Sequence, residues 1–376
     1  MFTVIVFLIV LSVLVFAHEL GHFWTARKLG VKAEEFGFGF PPRIFGFYKD
    51  KNGKWKKVWG RKEVLDAQDT IYSVNAIPLG GFVKIKGENG DGKEDKDSFA
   101  HKKIWQRALI LAAGVLMNIV LAIVLFSWAF MVNSPRPLDG VSSKLNISDH
   151  QVKIFQVLPN TPAQKANLQS ADVLKKINGQ EIVTLKDLYK SLEGQAGKEI
   201  SIQIKRGVEE KEIKITPTFN PSTNSTVIGT SVVEVGVVSY PWYLAIWEGI
   251  KTTGIVLWSI LYGFVLLFKA LFTGAGASLS LAGPIGIADL TGQAARLGLV
   301  YLLNFTALLS LNLAVLNILP LPALDGGRIL FLLIEKIKGK PVKKETEAII
   351  HNIGFLLLML LVLFVTFKDV GNLLHK

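Results

Sequence analysis

Cysteine is absent from all 376 residues. The chain therefore has no disulfide and no thiolate metal site, and any zinc it holds must use nitrogen and oxygen ligands. Charge is sparse: 19% of residues are charged, half are hydrophobic, and the mean hydropathy is +0.39. The apolar residues come in long blocks. That excludes an ordinary soluble enzyme and predicts several membrane spans. Internal repeats are lacking, and so is the series of intramembrane acids that a transport path carries. No lysine or arginine precedes the first apolar run (2–17), as the n-region of a signal peptide requires. Acids are the minority, 30 against 42 basic residues, for a net charge of +12. In so apolar a chain this balance points to cytoplasmic loops and anionic lipid, not to nucleic acid.

What the chain does have is HELGH, His18 to His22, at the end of that first run. Residues four apart share a helix face, so both imidazoles can reach one metal ion, with Glu19 beside it to take a proton from water. Ionisable groups at the end of a membrane-length helix are costly, which marks them as functional. Two histidines leave zinc one protein ligand short of a catalytic site. The stretch NILPLPALDGG (317–327) supplies the candidate. Pro320, Pro322, Gly326 and Gly327 break the helix amid apolar residues, and broken backbone at membrane depth is tolerated where it lines a cavity. Asp325 opens the next helical stretch, where the helix terminus favours its ionised form. Asp325 is the expected third ligand.

In chain order, residues 1–28 form a first transmembrane helix, with cations (Arg27, Lys28, Lys32, Arg43) after it. The positive-inside rule then puts the N-terminus outside and HELGH towards the cytoplasmic face, about 24 Å along the helix from Phe2. Residues 29–103 form a cytoplasmic segment. Its stretch 75–88, NAIPLGGFVKIKGE, reads on pattern alone as a plain β-hairpin, the alternative being a β-loop dipping into the membrane with an edge open to a peptide. Residues 104–132 are the second span, with Gly114 and Asn118 on one face for close packing. Residues 136–220 are polar and read as strand, short helix, strand, helix, strand, strand. With VLPNTPA (157–163), DVL (172–174) and ING (177–179) they resemble a bacterial PDZ domain, departing from it at Asn167 and Ala171, where glycine is common. Residues 221–296 are a Ser/Thr/Asn-rich linker and a β-like run, then an apolar helix over 244–273 that Glu248, Lys251 and Lys269 flank or interrupt. It either spans or lies amphipathic at the outer surface, and the surface reading is favoured because a span would put the following segments on the wrong side for the positive-inside rule. A third span with the broken segment (297–336) and a fourth (347–368) complete an expectation of about four transmembrane helices. The lone His351 is expected to be a packing residue.

HELGH in the first span, AIPLGGFVKIKGE, GVLMN (114–118), the PDZ-like stretch, GPIGIA (283–288) and NILPLPALDGG occur in this order over nearly the whole chain. Together they resemble the site-2 protease family of intramembrane zinc metalloproteases, of the bacterial regulator-of-sigma-E type, here with a single PDZ domain. The resemblance implies a polytopic α-helical membrane protein with a re-entrant β-loop and an inserted α+β PDZ domain. It implies zinc held by His18, His22 and Asp325, with Glu19 as catalytic base. Asn317, Gly80, Gly81, Phe82 and Val83 would bind substrate. Transmembrane segments such as those of anti-sigma factors or remnant signal peptides would be cleaved within the bacterial cytoplasmic membrane. The PDZ domain would be extracytoplasmic and the active site near the cytoplasmic face. The implied partners are transmembrane substrates and the lipid bilayer. The alternatives are a zinc or cation transporter and a non-catalytic PDZ membrane scaffold.

Overall fold

The computed structural model describes residues 2–62, 64, 67–132, 134–138, 146–207, 209–221, 225–273 and 283–374. The chain divides into two compact units, Met1–Ala129 with Tyr243–Lys376, and Phe130–Trp242.

The first unit begins with α1 (Phe2–Lys28), which ends on Arg27 and Lys28 and is closed by Gly30 at positive φ. Cations in the last turn complement the helix dipole, and glycine adopts the left-handed closing conformation at no steric cost. Three strands follow, β1 (Ala33–Lys49), β2 (Trp55–Trp59) and β3 (Ile71–Ile85), in the order β2-β1-β3. The two long strands bend, β1 near Pro41 and Pro42 and β3 near Pro78, because proline cannot donate to the ladder. Their register resolves into runs: 55–59 beside 43–49, then 71–75, then 33–38, then 81–85. The outer edge of 81–85 is unpaired among the described residues. The sheet lies on α1, with the Phe36 ring 5.4 Å from Phe16 and 4.4 Å from Phe23. Ser12 Oγ donates to Pro78 O at 3.1 Å and accepts from Gly80 N–H at 3.3 Å, so this hydroxyl anchors the bend of β3 to the helix.

The second helix, α2 (Ile104–Met131), crosses α1 at two glycines. A Cβ on Gly21 would lie 2.8 Å from Ala113 C and 2.9 Å from Met117 Cβ. Small residues of this kind let helix backbones approach without side chains between them.

The second unit is α+β. Its sheet runs β4-β12-β5-β6-β8-β9, with β7 on β6, where β4 is Ser134–Pro137, β5 Asn146–Val157, β6 Val173–Ile177, β7 Gln180–Glu181, β8 Ile200–Arg206, β9 Glu209–Ile215 and β12 Thr230–Ser239. A short hairpin, β10 (Thr218–Asn220) with β11 (Ser225–Val227), precedes β12. The helices are α3 (Pro162–Lys165) and α4 (Leu185–Leu192), so the strand-and-helix order over 146–215 is the one read from the sequence with the two-residue β7 added before α4. Val152, Ile154, Leu174, Ile177, Leu188 and the alternating Ile200, Ile202 and Ile204 form the core. Thr184 and Asp187 cap α4 reciprocally. Buried Asp172 takes a bidentate pair from Arg206, 2.7 Å at each oxygen. Asn167 and Ala171, the two departures from the PDZ pattern, have φ of 59° and 73°, in the left-handed region that glycine favours. The β-like run assigned to the linker belongs to this unit instead: β12 pairs with both β4 and β5. Its alternating valines have a face to bury, which a linker lacks. Part of the interval 136–220, residues 139–145, lies outside the described residues.

The chain returns to the first unit through α5 (Trp242–Thr273), α6 (Pro284–Leu297), α7 (Leu299–Ile318), α8 (Asp325–Lys338) and α9 (Lys344–Leu374). Among the described residues, five helices are long and apolar enough to cross a membrane, one more than the sequence reading counted. The addition is Trp242–Leu267. Its charges are confined near its start, where Glu248 and Lys251 pair at 3.6 Å, and an uninterrupted apolar stretch follows. The helix breaks between α7 and α8 at the prolines, as expected, and Asp325 is the first residue of α8.

Candidate metal centre

The site is built where α1, α2 and α8 meet. His18 and His22 are buried one turn apart on α1, and Asp325 enters from α8. His18 Nε2 lies 3.1 Å from Asp325 Oδ2, His22 Nε2 lies 3.4 Å from it, and the two Nε2 atoms are 3.2 Å apart. Tetrahedral zinc with bonds of about 2.0–2.1 Å requires donors about 3.3 Å from one another. The triangle therefore has the size of one zinc coordination face. Among the described residues, it is the one cluster of three or more such side chains able to hold an ion.

The outer nitrogens decide what the inner ones present. His22 Nδ1–H donates to Ile110 O at 2.9 Å. Asn118 Nδ2 lies 3.3 Å from His18 Nδ1 while the amide's Oδ1 is buried without a hydrogen-bond partner; turning the amide over satisfies that oxygen, which then accepts Nδ1–H. Both protons then sit outside, and both Nε2 lone pairs face the Asp325 carboxylate. Three lone pairs converging in a buried space repel one another without a cation between them, so the donor set fits a divalent metal.

Gly114 makes the arrangement sterically possible. A Cβ there would lie 2.6 Å from His18 Cε1 and 2.8 Å from His18 Nδ1, and closer still to His22 Nε2. Ser310 on α7 donates to Asn118 O at 2.8 Å, tying a third helix to the one that holds the rings. The broken segment is held from α9. Ala323 N–H donates to His351 Nδ1 at 2.8 Å, and Gly354 admits Pro322, whose Cα would stand 3.1 Å from a Cβ there. Ala323 has φ of 71°, so an external hydrogen bond holds a turn that alanine adopts reluctantly, two residues before Asp325. His351 was expected only to pack. A lone histidine carries no sequence signal, and its partner is a backbone amide.

A cavity of about 220 Å³ opens beside the triangle and is lined by Glu19, Phe82, Val83, Glu88 and Arg328 as well as the three donors. Glu88 and Arg328 form an ion pair across it. Gly81 brings β3 against α1, where its Cβ would lie 3.2 Å from Glu19 Cβ, and Gly80 packs on Val15. Of the candidate substrate residues, Phe82 and Val83 line the cavity while the two glycines set its wall against the helix. Asn317 is buried near the end of α7 and is not among the lining residues.

The model of peptidase family M50 matches residues 6–361. The chain belongs to peptidase family M50. Among curated M50-like relatives, the regulator of sigma-W protease RasP of Bacillus subtilis is 30% identical, with 99% of each chain covered. A putative zinc metalloprotease of Clostridium perfringens is 33% identical over 96% of this chain and 97% of its own. The PDZ domain of the SdrC-like protein of Listeria monocytogenes aligns with 22% of this chain and 85% of its own length at 20% identity, with a TM-score of 0.20. With its apolar helices and M50 membership, the chain is an integral membrane zinc metalloprotease. The transporter and scaffold alternatives do not describe it.

Proposed function

We propose that this M50 protease cleaves peptide bonds within transmembrane segments, with His18, His22 and Asp325 as zinc ligands and Glu19 as the general base. The observation that carries the reading is the triangle of three buried donors, 3.1–3.4 Å on a side, beside a carboxylate that lines the same cavity. Zinc held there supplies Lewis acidity to the scissile carbonyl and the attacking water. Glu19 takes the water proton and delivers it to the leaving nitrogen. The open edge at 81–85 supports capture of an unwound substrate as an added strand, with Phe82 and Val83 against its side chains. A helical substrate must unwind first, because its own turn shields the scissile bond. The bend of β3, held by Ser12 in the middle of an apolar helix, supports a re-entrant β-loop at membrane depth.

The basic residues that follow α1 and α8 support a cytoplasmic position for the loops near the site. The PDZ-like unit then lies outside and limits access to substrates already shortened. Substrates of the anti-sigma-factor or remnant-signal-peptide kind suit such a filter.

The test is zinc content and cleavage of a model transmembrane peptide by the purified protein, its Glu19→Gln variant and its Asp325→Ala variant. Glu19→Gln should keep zinc and lose cleavage, and Asp325→Ala should lose both. Equal cleavage by Glu19→Gln and the parent removes Glu19 as base, and unchanged zinc affinity in Asp325→Ala removes the third ligand.

A further inference from the structure

The β1–β2 hairpin lies at the far edge of the sheet from the cavity, and the mechanism makes no use of it. We propose that it is an interfacial anchor that binds anionic phospholipid headgroups.

Residues 49–62, KDKNGKWKKVWGRK, hold seven cations and one acid. All seven cations are exposed, whereas Asp50 is buried and meets Lys56 Nζ at 3.2 Å. Side chains alternate across a strand, so Trp55, Lys57 and Trp59 share one face of β2, while Val58 packs inward with Tyr48 and Ile71. The register sets Lys49, Phe47 and Phe45 of β1 opposite those three residues, on the same face. Lys49 Nζ lies 5.3 Å from the Trp55 ring, Lys57 Nζ lies 5.6 Å from the Phe47 ring, and the Phe45 and Trp59 rings are 5.7 Å apart. Trp55 and Trp59 are 60% and 62% exposed. The face is thus a ladder of alternating rings and ammonium groups.

The position of the ladder along α1 identifies what it meets. Arg27, at the basic end of α1, donates to Tyr72 OH at 3.0 Å and to Asp69 at 2.6 Å. Tyr72 pairs with Phe47, which pairs with Lys57, so one row runs from the end of the span across the sheet to the hairpin. Trp59 and Phe45 stand two residues deeper, about 7 Å towards the bend of the sheet. There Ile44 and Ile77 are exposed. Cations level with the end of the span, rings just below and aliphatic groups below those form the polarity gradient of a bilayer surface. An acidic soluble peptide would match the lysines and leave the deeper apolar row without a partner. The charge excess selects anionic over zwitterionic headgroups. The inference rests on α1 crossing the bilayer with its basic end at the headgroup level.

The test uses the full chain in vesicles containing brominated phosphatidylglycerol or brominated phosphatidylcholine at equal mole fraction. Bromine quenches tryptophan at contact, and subtracting a Trp55→Phe/Trp59→Phe variant isolates these two rings. Their quenching should be stronger with phosphatidylglycerol. The variant Lys51→Gln/Lys54→Gln/Lys57→Gln should lose that preference, by about fivefold per lysine and so about a hundredfold in local enrichment. High salt should abolish it in the parent. Equal quenching by both lipids, no quenching by either, an unchanged preference in the lysine variant, or displacement of the lipid by an acidic peptide would each overturn the proposal. Zinc content and Glu19-dependent cleavage, measured on the same vesicles, report separately on the catalytic reading.

Discussion

Gly114→Ala tests the assembly of the metal centre without substituting any of the proposed ligands. The added methyl would sit 2.6 Å from His18 Cε1, whereas carbon atoms rest at about 3.5 Å, so the ring must give way by roughly 0.9 Å. The tolerance on a zinc–ligand distance is about 0.2 Å. Loss of an outer hydrogen bond to a ligand costs ten- to a hundredfold in affinity, by the general experience of metal sites. Displacing both rings should cost at least the upper figure, about 2.7 kcal/mol. Alanine is the better helix former by about 1 kcal/mol, so weakening of α2 itself cannot cause the loss. Competition with a chromophoric zinc chelator measures it, with Gly263→Ala as control, since a Cβ at Gly263 meets nothing within 4 Å. Zinc affinity in Gly114→Ala within threefold of the parent would refute the claim that contact between α1 and α2 sets the site.

Two further outcomes follow from residues outside the triangle. His351→Ala removes the acceptor for Ala323 N–H and should lower zinc affinity about tenfold, whereas His351→Gln, which can still accept, should recover most of it. Equal losses in the two variants, read by the same chelator competition, would show that ring packing and not the hydrogen bond holds the broken segment. In the second unit, Ala171→Gly should stabilise the 130–242 fragment by about 0.5–1 kcal/mol in urea unfolding, because relief of left-handed strain exceeds the entropy that glycine adds to the unfolded chain. A destabilised fragment would mean that Ala171 contributes more by contact than its φ of 73° costs.

The three proposed ligands, which the structure brings together, were legible because each is tied to a local pattern. Spacing of four places His18 and His22 on one helix face, and the proline-rich break followed by Asp-Gly-Gly marks Asp325 as an acid at a buried helix start. The strand order of the second unit was legible from alternation and turn residues. Less was legible where the signal was weak or the partner distant. The run that became β12 resembled a linker because its two neighbouring strands lie far away in sequence. The helix over 242–267 is long and apolar enough to span, and the sequence places it at the surface only because a span there would put the basic residues after α8 on the outer side.

What the sequence determined alone is the available chemistry: nitrogen and oxygen donors in a chain without cysteine, a carboxylate beside two of them, and apolar runs that carry them into a membrane. The tertiary structure decided what converges on that chemistry. Gly114, Asn118, the Ile110 carbonyl, Ser310 and His351 come from helices between about ninety and three hundred and thirty residues away from HELGH along the chain. Gly114 and Asn118 fall in GVLMN, a stretch that carries the family resemblance but reads by itself as helix packing; Ile110, Ser310 and His351 have no periodicity or motif that announces a metal site. Their roles arise from close approach of backbones and from single hydrogen bonds, and these exist only once the helices have packed.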